Sequence, residues 1–110
     1  MATINDNVKN EMLLGISSTL TDVQLKYQDG TTSTATTEAQ LWDVPASGNL
    51  TQKTDVVFSI DTSSGDINVS GFNLIFTSGS VAGISFNFTD IYNYNNNGSF
   101  TFSDMTIVIN

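Results

Sequence analysis

The chain has 110 residues and a net charge of −8, from eleven acidic residues against three lysines. A chain of this length supports one domain, which we place over residues 1–110. It contains no cysteine, histidine or arginine, so disulfides, zinc sites built on thiolate or imidazole, and a Ser-His-Asp triad are excluded. The acidic balance also repels nucleic-acid phosphates and anionic membrane surfaces, so neither is an expected partner.

The N-terminus has no basic region followed by an apolar stretch, so no secretory signal peptide is predicted. The apolar runs are a few residues long, far short of a membrane span. We therefore expect the protein to be made in a cytoplasm, and any role outside the cell to follow the release of an assembled particle.

Residues 3–16 have the pattern of a short amphipathic helix. Thr3 and Asp6 have the spacing of a capping box with Asp in place of Glu, and Gly15 fits the C-terminal end. A helix this short is marginal alone, so its apolar stripe must dock on the chain's own sheet or on a neighbouring subunit. The stripe is the candidate partner-docking site, and its residues recur every fourth position: Ile4, Val8, Met12 and Ile16.

From residue 21 onward the apolar residues alternate with polar ones, which is typical of strands. Turn clusters at residues 29–30, 61–66 and 93–98 separate the alternating segments, a turn is expected at Gly79, and residues 31–37 fit either a loop or an exposed edge strand. We therefore predict an all-β fold, an antiparallel β-sandwich of jelly-roll or Ig-like type with about seven or eight strands over residues 21–110.

Two details of that sandwich follow from the pattern. The parity of the apolar residues switches at Gly71, which predicts a β-bulge or sharp bend within one long strand. The alternation also predicts a set of residues buried between the two sheets: Phe58, Phe72, Leu74, Phe86, Phe102 and Ile107.

Several acidic side chains are candidates for an ion site or for catalysis. Asp61 and Asp66 could offer oxygen ligands to calcium, but Asp, Ser and Gly are also ordinary turn formers, and the plain turn is favoured. Asp90 and Asp104 could act as paired carboxylates in glycoside hydrolysis, although nothing in the sequence places them in one cleft. We therefore predict no catalytic, cofactor-binding or metal-binding residues, and a protein that is not an enzyme.

Aromatic side chains could form a platform on which a glycan stacks. The alternation places Tyr27 on the core side, and Tyr92 and Tyr94 lie beside asparagines at a loop, so core and loop roles are favoured. The platform would comprise Tyr27, Trp42, Tyr92 and Tyr94.

Four stretches of the sequence resemble a family of small virion structural proteins of tailed bacteriophages. Residues 3–16 resemble the family's amphipathic opening helix, and residues 42–58 resemble its tryptophan–proline–glycine loop leading into a strand. Residues 65–74 are similar to its glycine-flanked strand, and residues 98–110 to its glycine, aromatic and alternating-aliphatic ending. Family members are capsid, head-associated or tail-fibre-type proteins.

The resemblance implies a β-sandwich with an N-terminal helix and a passive role in the virion. The favoured function is a capsid decoration, or cement, protein that bridges capsid subunits on the outer surface. Its partners would be phage capsid or other virion structural proteins and further copies of itself, with a homotrimer expected by analogy. The alternatives are a tail or fibre-base module and, from a different class, a glycan-binding module for host attachment.

Overall fold

The computed structural model describes residues 4–76 and 82–109, which form one N-terminal helix followed by eight strands. This mostly β architecture with antiparallel pairing confirms the predicted fold class at that level. The expected capping residue Thr3 and the expected turn at Gly79 lie outside the described residues. The elements are α1 (Asp6–Thr19), β1 (Leu20–Tyr27), β2 (Thr36–Thr37), β3 (Asn49–Thr51), β4 (Val56–Ile60), β5 (Ile67–Phe76), β6 (Ala82–Tyr94), β7 (Gly98–Phe102) and β8 (Thr106–Val108).

Helix α1 begins at Asp6 with Asn5 as its N-cap, so the predicted start of the helix at residue 3 is wrong. The Asn5 side-chain oxygen accepts a hydrogen bond from the backbone N–H of Val8 at 3.0 Å, which satisfies one of the unpaired donors of the first turn. Asp6 adds a negative charge at the positive end of the helix dipole. Among the described residues, no helix is long and apolar enough to cross a membrane.

The expected end of the helix at Gly15 is wrong, because α1 continues through Thr19. Gly15 does not adopt the left-handed conformation that ends helices at glycine. Instead, the Ser18 and Thr19 hydroxyls both donate to the Gly15 carbonyl, at 3.1 and 2.6 Å, and occupy an acceptor of the last turn. Strand β1 then starts directly at Leu20.

The largest sheet has four antiparallel strands in the order β2-β1-β5-β6. Strand β2 is a short exposed edge strand, so residues 31–37 contain both alternatives that the sequence left open, a loop and then an edge. The long strand β6 forms the other edge. Val23 and Leu25 of β1 are fully buried, as their alternation predicts.

A bulge at Gly71 bends the middle of this sheet, as the parity switch predicts. The register between β5 and β6 shifts between Val69 and Gly71, and the register between β1 and β5 shifts next to Lys26. A Cβ atom placed on Gly71 would lie 1.9 Å from the Phe86 carbonyl oxygen, so only glycine fits here.

Two smaller antiparallel sheets, β3-β8 and β4-β7, complete the described strands. Val56, Phe58 and Ile60 of β4 point inward and are buried, in agreement with the alternation. Between the strands, Gln52 is the buried polar residue, and its side-chain amide donates to the Phe102 carbonyl at 2.8 Å.

The hydrophobic core collects side chains from the helix and from all three sheets. Four of the six predicted core residues are buried: Phe58, Phe72, Leu74 and Phe102. Ile107 is half-buried, and Phe86 is 53% exposed, so its predicted burial is wrong. The reason is that β6 lies at the edge of its sheet, where the face that carries Phe86 is only partly covered.

Candidate functional site

The helix is attached to the strands by one side and leaves its predicted stripe largely exposed. Leu13 is fully buried, and Ile16 packs half-buried against the core. The Asn10 side-chain oxygen accepts a hydrogen bond from the backbone N–H of Gly48 at 2.9 Å, which ties the helix to the turn before β3. The stripe is therefore divided, with Ile16 on the core side.

The other three members of the stripe form what we term the helix surface. They are 42, 48 and 48% exposed, in the order Ile4, Val8 and Met12. The helix is anchored to the core through Leu13, which is fully buried, whereas about half of each of these three side chains is in contact with water. They form an apolar row that is accessible to a partner. The row contains three of the four candidate docking residues predicted from the sequence.

A second apolar surface lies between β6 and the strands β7 and β8. We term it the aromatic groove, an open cavity of about 460 Å³. Its side walls include Leu74, Ile84, Met105 and Ile107, with the hydroxyls of Thr101, Ser103 and Thr106 as polar groups. Its rings come from three strands: Phe72, Phe86, Phe88, Tyr92, Phe100 and Phe102.

The rings of the aromatic groove form one connected network. Phe72 contacts Phe102 edge-on at a centroid distance of 4.5 Å and stacks on Phe86 at 5.4 Å. Phe88 and Phe100 stack at 5.8 Å, and Tyr92 meets Phe100 edge-on at 5.4 Å. These distances are those of favourable aromatic pairs, so the groove is a packed wall rather than a loose collection of side chains.

A bulge of four residues in β6 positions the outer part of this network. Val69 pairs with Tyr92 and Gly71 pairs with Asn87, so residues 88–91 stand opposite Ser70 alone. The extra residues let β6 bend, and Phe88 and Tyr92 contact one another as well as Phe100. The bend therefore forms the outer end of the groove.

Comparison with protein-family models, with curated proteins and with solved structures found no match. The resemblance to tailed-phage virion proteins therefore rests only on the four sequence stretches described above. The features of the chain that bear on its function are its two apolar surfaces and its charge.

The aromatic platform suggested for a glycan does not form. Trp42 is 9% exposed, and its indole N–H donates to the Leu20 carbonyl at 2.9 Å, so it belongs to the core. The Tyr94 hydroxyl donates to the Ser99 carbonyl at 3.0 Å. Of the four rings, Tyr92 lies in the aromatic groove, whereas Tyr27 lines two other cavities, of about 190 and 480 Å³.

The segment from Asp61 to Asp66 is a hydrogen-bonded turn. The Asp61 carboxylate accepts from the backbone N–H of Ser63 at 2.9 Å, and this bond, with a weaker one to the Ser63 side chain, lowers the pKa of Asp61. The Gly65 N–H donates to the Thr62 carbonyl at 3.0 Å and closes the turn. Within residues 4–76 and 82–109, no three metal-ligating side chains come together.

Asp90 and Asp104 are both exposed and lie in different elements. Asp90 belongs to the bulge of β6, and Asp104 follows β7 with a φ of 59°. Each carboxylate flanks the aromatic groove in the chain, since Phe88 and Tyr92 bracket one, while Ser103 and Met105 bracket the other.

The aromatic groove is a surface that the sequence reasoning missed, because five of its lining residues were predicted to be buried between two sheets: Phe72, Leu74, Phe86, Phe102 and Ile107. One feature of the sequence could have indicated it. Every phenylalanine except Phe58 lies within residues 72–102, which indicates that the aromatic side chains are concentrated in one part of the fold.

Proposed function

We propose that this chain is a non-enzymatic structural protein of a tailed-phage virion, a capsid decoration protein that bridges capsid subunits on the outer surface. The resemblance of residues 3–16, 42–58, 65–74 and 98–110 to such proteins supports this function. The structure adds two apolar surfaces on a small acidic domain, which suit a protein that works by permanent attachment to other proteins.

The helix surface is the observation that carries the proposal. A short amphipathic helix normally turns its apolar row toward its own core. Here the core side is occupied by Leu13, while Val8 and Met12 are each 48% exposed. Docking on a capsid subunit would remove this row from water and hold the domain in place without any chemical step.

The net charge of −8 fits the same role. A strongly charged exterior keeps a protein soluble at high local concentration and disfavours binding to the packaged nucleic acid. Copies on the capsid would assemble as a homo-oligomer, and we propose a trimer by analogy with decoration proteins at threefold positions.

The strand arrangement supports a β-sandwich of jelly-roll or Ig-like type for this domain. The four-stranded sheet would form one layer, and the sheets β3-β8 and β4-β7 would form the other. The contact of Phe72 on β5 with Phe102 on β7 joins the two proposed layers at the centre of the core.

Replacing Val8 and Met12 by aspartate tests the role of the helix surface. We expect the V8D/M12D chain to lose co-sedimentation with capsid particles that lack their own copies of the protein, because two charges would enter the interface. Circular dichroism and the melting temperature should stay near those of the wild type, since both positions are half-exposed. The control N7D adds a negative charge at an exposed polar position in the first turn of the helix and should still co-sediment.

A V8D/M12D chain that remains folded and still binds particles would contradict the proposal. One that unfolds would show that the row stabilises the domain itself. Cryo-electron microscopy of particles carrying the chain then separates decoration from a tail or fibre-base role. Decoration places copies across the capsid in proportion to its subunits, whereas a fibre base holds few.

A further inference from the structure

We infer that Asn97 is a site of spontaneous chemical modification and that Thr62 promotes the reaction. The side-chain amide of Asn97 is converted to aspartate and isoaspartate through a cyclic imide that forms with the backbone nitrogen of Gly98. No other asparagine of the chain is followed by glycine. The inference goes beyond the proposed function, and its test does not depend on a virion partner.

Asn97 and Gly98 are both exposed where the loop after β6 enters β7. Asn97 is the last of three exposed asparagines in this loop, and Gly98 is the first residue of β7. Glycine has no side chain to hinder the approach of its own backbone nitrogen to the preceding side-chain amide. Asn95 and Asn96 are each followed by a residue with a side chain, so the three neighbours share one exposed loop but differ in expected reactivity.

Thr62, in the turn between β4 and β5, places two donors on the side-chain oxygen of Asn97. Its backbone N–H donates to the Asn97 Oδ1 at 2.8 Å, and its hydroxyl donates to the same atom at 3.1 Å. When the Gly98 nitrogen attacks the amide carbon, negative charge develops on this oxygen. Donors at such distances stabilise a developing charge in the way an oxyanion hole does. The contact therefore lowers the barrier to the reaction.

The reaction needs only water and hydroxide ion. The Gly98 nitrogen gives its proton to hydroxide and forms a bond to the Asn97 Cγ. The bond from Cγ to Nδ2 then breaks, and the nitrogen takes a proton from water and leaves as ammonia. Water opens the resulting imide at either carbonyl. Attack at the side-chain carbonyl gives aspartate, and attack at the main-chain carbonyl gives isoaspartate, in which the backbone runs through the former side chain.

The two products differ in what they do to the fold. Aspartate leaves the backbone unchanged and still offers acceptor oxygens to Thr62. Isoaspartate adds one methylene carbon to the main chain directly before β7, where Gly98 pairs with Ile60 of β4. It therefore disturbs the register of this pair, and we expect the isoaspartyl chain to melt at a lower temperature than the aspartyl one.

Storage of the purified full chain in mildly alkaline buffer, followed by peptide mapping with mass spectrometry, tests the inference. We expect the mass increase of amide-to-acid conversion at Asn97 before it occurs at Asn95 or Asn96, and isoaspartate at the same position by enzymatic methylation. The rate should rise with pH, because the attacking nitrogen must lose its proton.

Gly98→Ala tests the nucleophile. We expect G98A to slow the conversion about tenfold or more, which corresponds to a barrier higher by about 1.4 kcal/mol. An alanine Cβ at this position would meet the Tyr94 ring at 3.5 Å, an ordinary contact, so the variant should keep the fold.

Two variants at position 62 test the promoting contact. T62V removes the hydroxyl donor at nearly constant shape and keeps the backbone N–H, so it should slow the conversion about threefold or more. T62S retains a hydroxyl and should convert at the wild-type rate. Melting curves that match the wild type establish that a changed rate comes from the lost donor and not from a lost fold.

Three results would overturn the inference. Asn97 could stay unchanged under conditions that convert Asn95 or Asn96, or G98A could convert at the wild-type rate. A T62V chain that converts as fast as the wild type would remove the role of the hydroxyl, and one that converts faster would show that Thr62 protects Asn97.

Discussion

Gly71 occupies a position where the backbones of β5 and β6 approach too closely for any side chain. An added Cβ would lie 1.9 Å from the Phe86 carbonyl oxygen and 3.0 Å from the Asn87 Cα, and both of these atoms belong to a paired strand. Gly15 in the helix presents the opposite case, since nothing lies within 4 Å of an added Cβ. The two glycines therefore differ in what a methyl group would do.

We expect Gly71→Ala to lower the free energy of unfolding by about 3 kcal/mol or more, because the sheet must open at the bulge to admit the methyl group. Gly15→Ala should instead raise it by about 0.5–1 kcal/mol through helix propensity. Urea titrations followed by circular dichroism measure both. Equal midpoints for G71A and the wild type would show that the bulge can shift.

Phe72 and Phe86 stack on one another, yet their burial differs widely. Phe72 is 6% exposed and Phe86 is 53% exposed. We expect Phe72→Ala to cost about 3–5 kcal/mol of stability and Phe86→Ala only about 1 kcal/mol, because half of the Phe86 ring is already in water. Chemical denaturation of the two variants checks this order, and a larger loss for F86A would mean that the groove is closed in solution.

At the scale of elements, the helix is held through one fully buried side chain. Leu13 is 0% exposed, while its neighbour Leu14 is 43% exposed. We expect Leu13→Ala to cost about 2–5 kcal/mol and Leu14→Ala less than about 1 kcal/mol, although the two changes remove the same atoms. Thermal melts that show similar losses would place the helix in a different rotation on the strands.

Local sequence patterns predicted where the strands and the bulge lie better than they predicted which side chains are covered by other parts of the fold. The alternation of Val56, Phe58 and Ile60 and the parity switch at Gly71 depend on neighbouring residues, and the structure confirms both. The exposure of Phe86 depends on β6 lying at the edge of its sheet, which is set by pairing with β5 far along the chain. An alternating strand looks the same in sequence whether or not another layer covers it.

The same distinction explains the candidate site. Spacing every fourth residue predicted a helix, and the structure contains one, but the helix begins at Asp6, so Ile4 precedes it. The spacing also did not show which side of the helix would pack on the strands. The side of the helix that packs on the strands is determined by Leu13, which lies beside the row, and by the hydrogen bond from the Gly48 N–H to the Asn10 side chain. Both involve contacts with distant strands, which periodicity within the helix does not contain.

At the scale of the whole molecule, the domain is elongated. Its radius of gyration is 15.4 Å and its extents are 52 × 27 × 23 Å, against a radius of about 13 Å for a compact domain of this length. The long paired strands β5 and β6 account for the shape. An elongated domain has a larger surface area relative to the volume of its core than a compact one. This is consistent with an open aromatic groove and an exposed helix surface on the same chain.

The last prediction concerns the charge of this elongated molecule. The eleven acidic residues outnumber the three lysines, so their negative charges repel one another in the folded state. Salt weakens that repulsion because it shortens the Debye length from about 30 Å at 0.01 M to about 10 Å at 0.1 M. We expect the melting temperature to rise with sodium chloride over this range, and calcium chloride at equal ionic strength to give a similar rise. The Asp61 carboxylate is already engaged with Ser63, and within the described part of the chain no group of three ligating side chains offers calcium a stronger site. A further rise of several degrees with calcium, removed by a chelator and absent in Asp61→Asn, would instead demonstrate a specific ion site in the turn between β4 and β5.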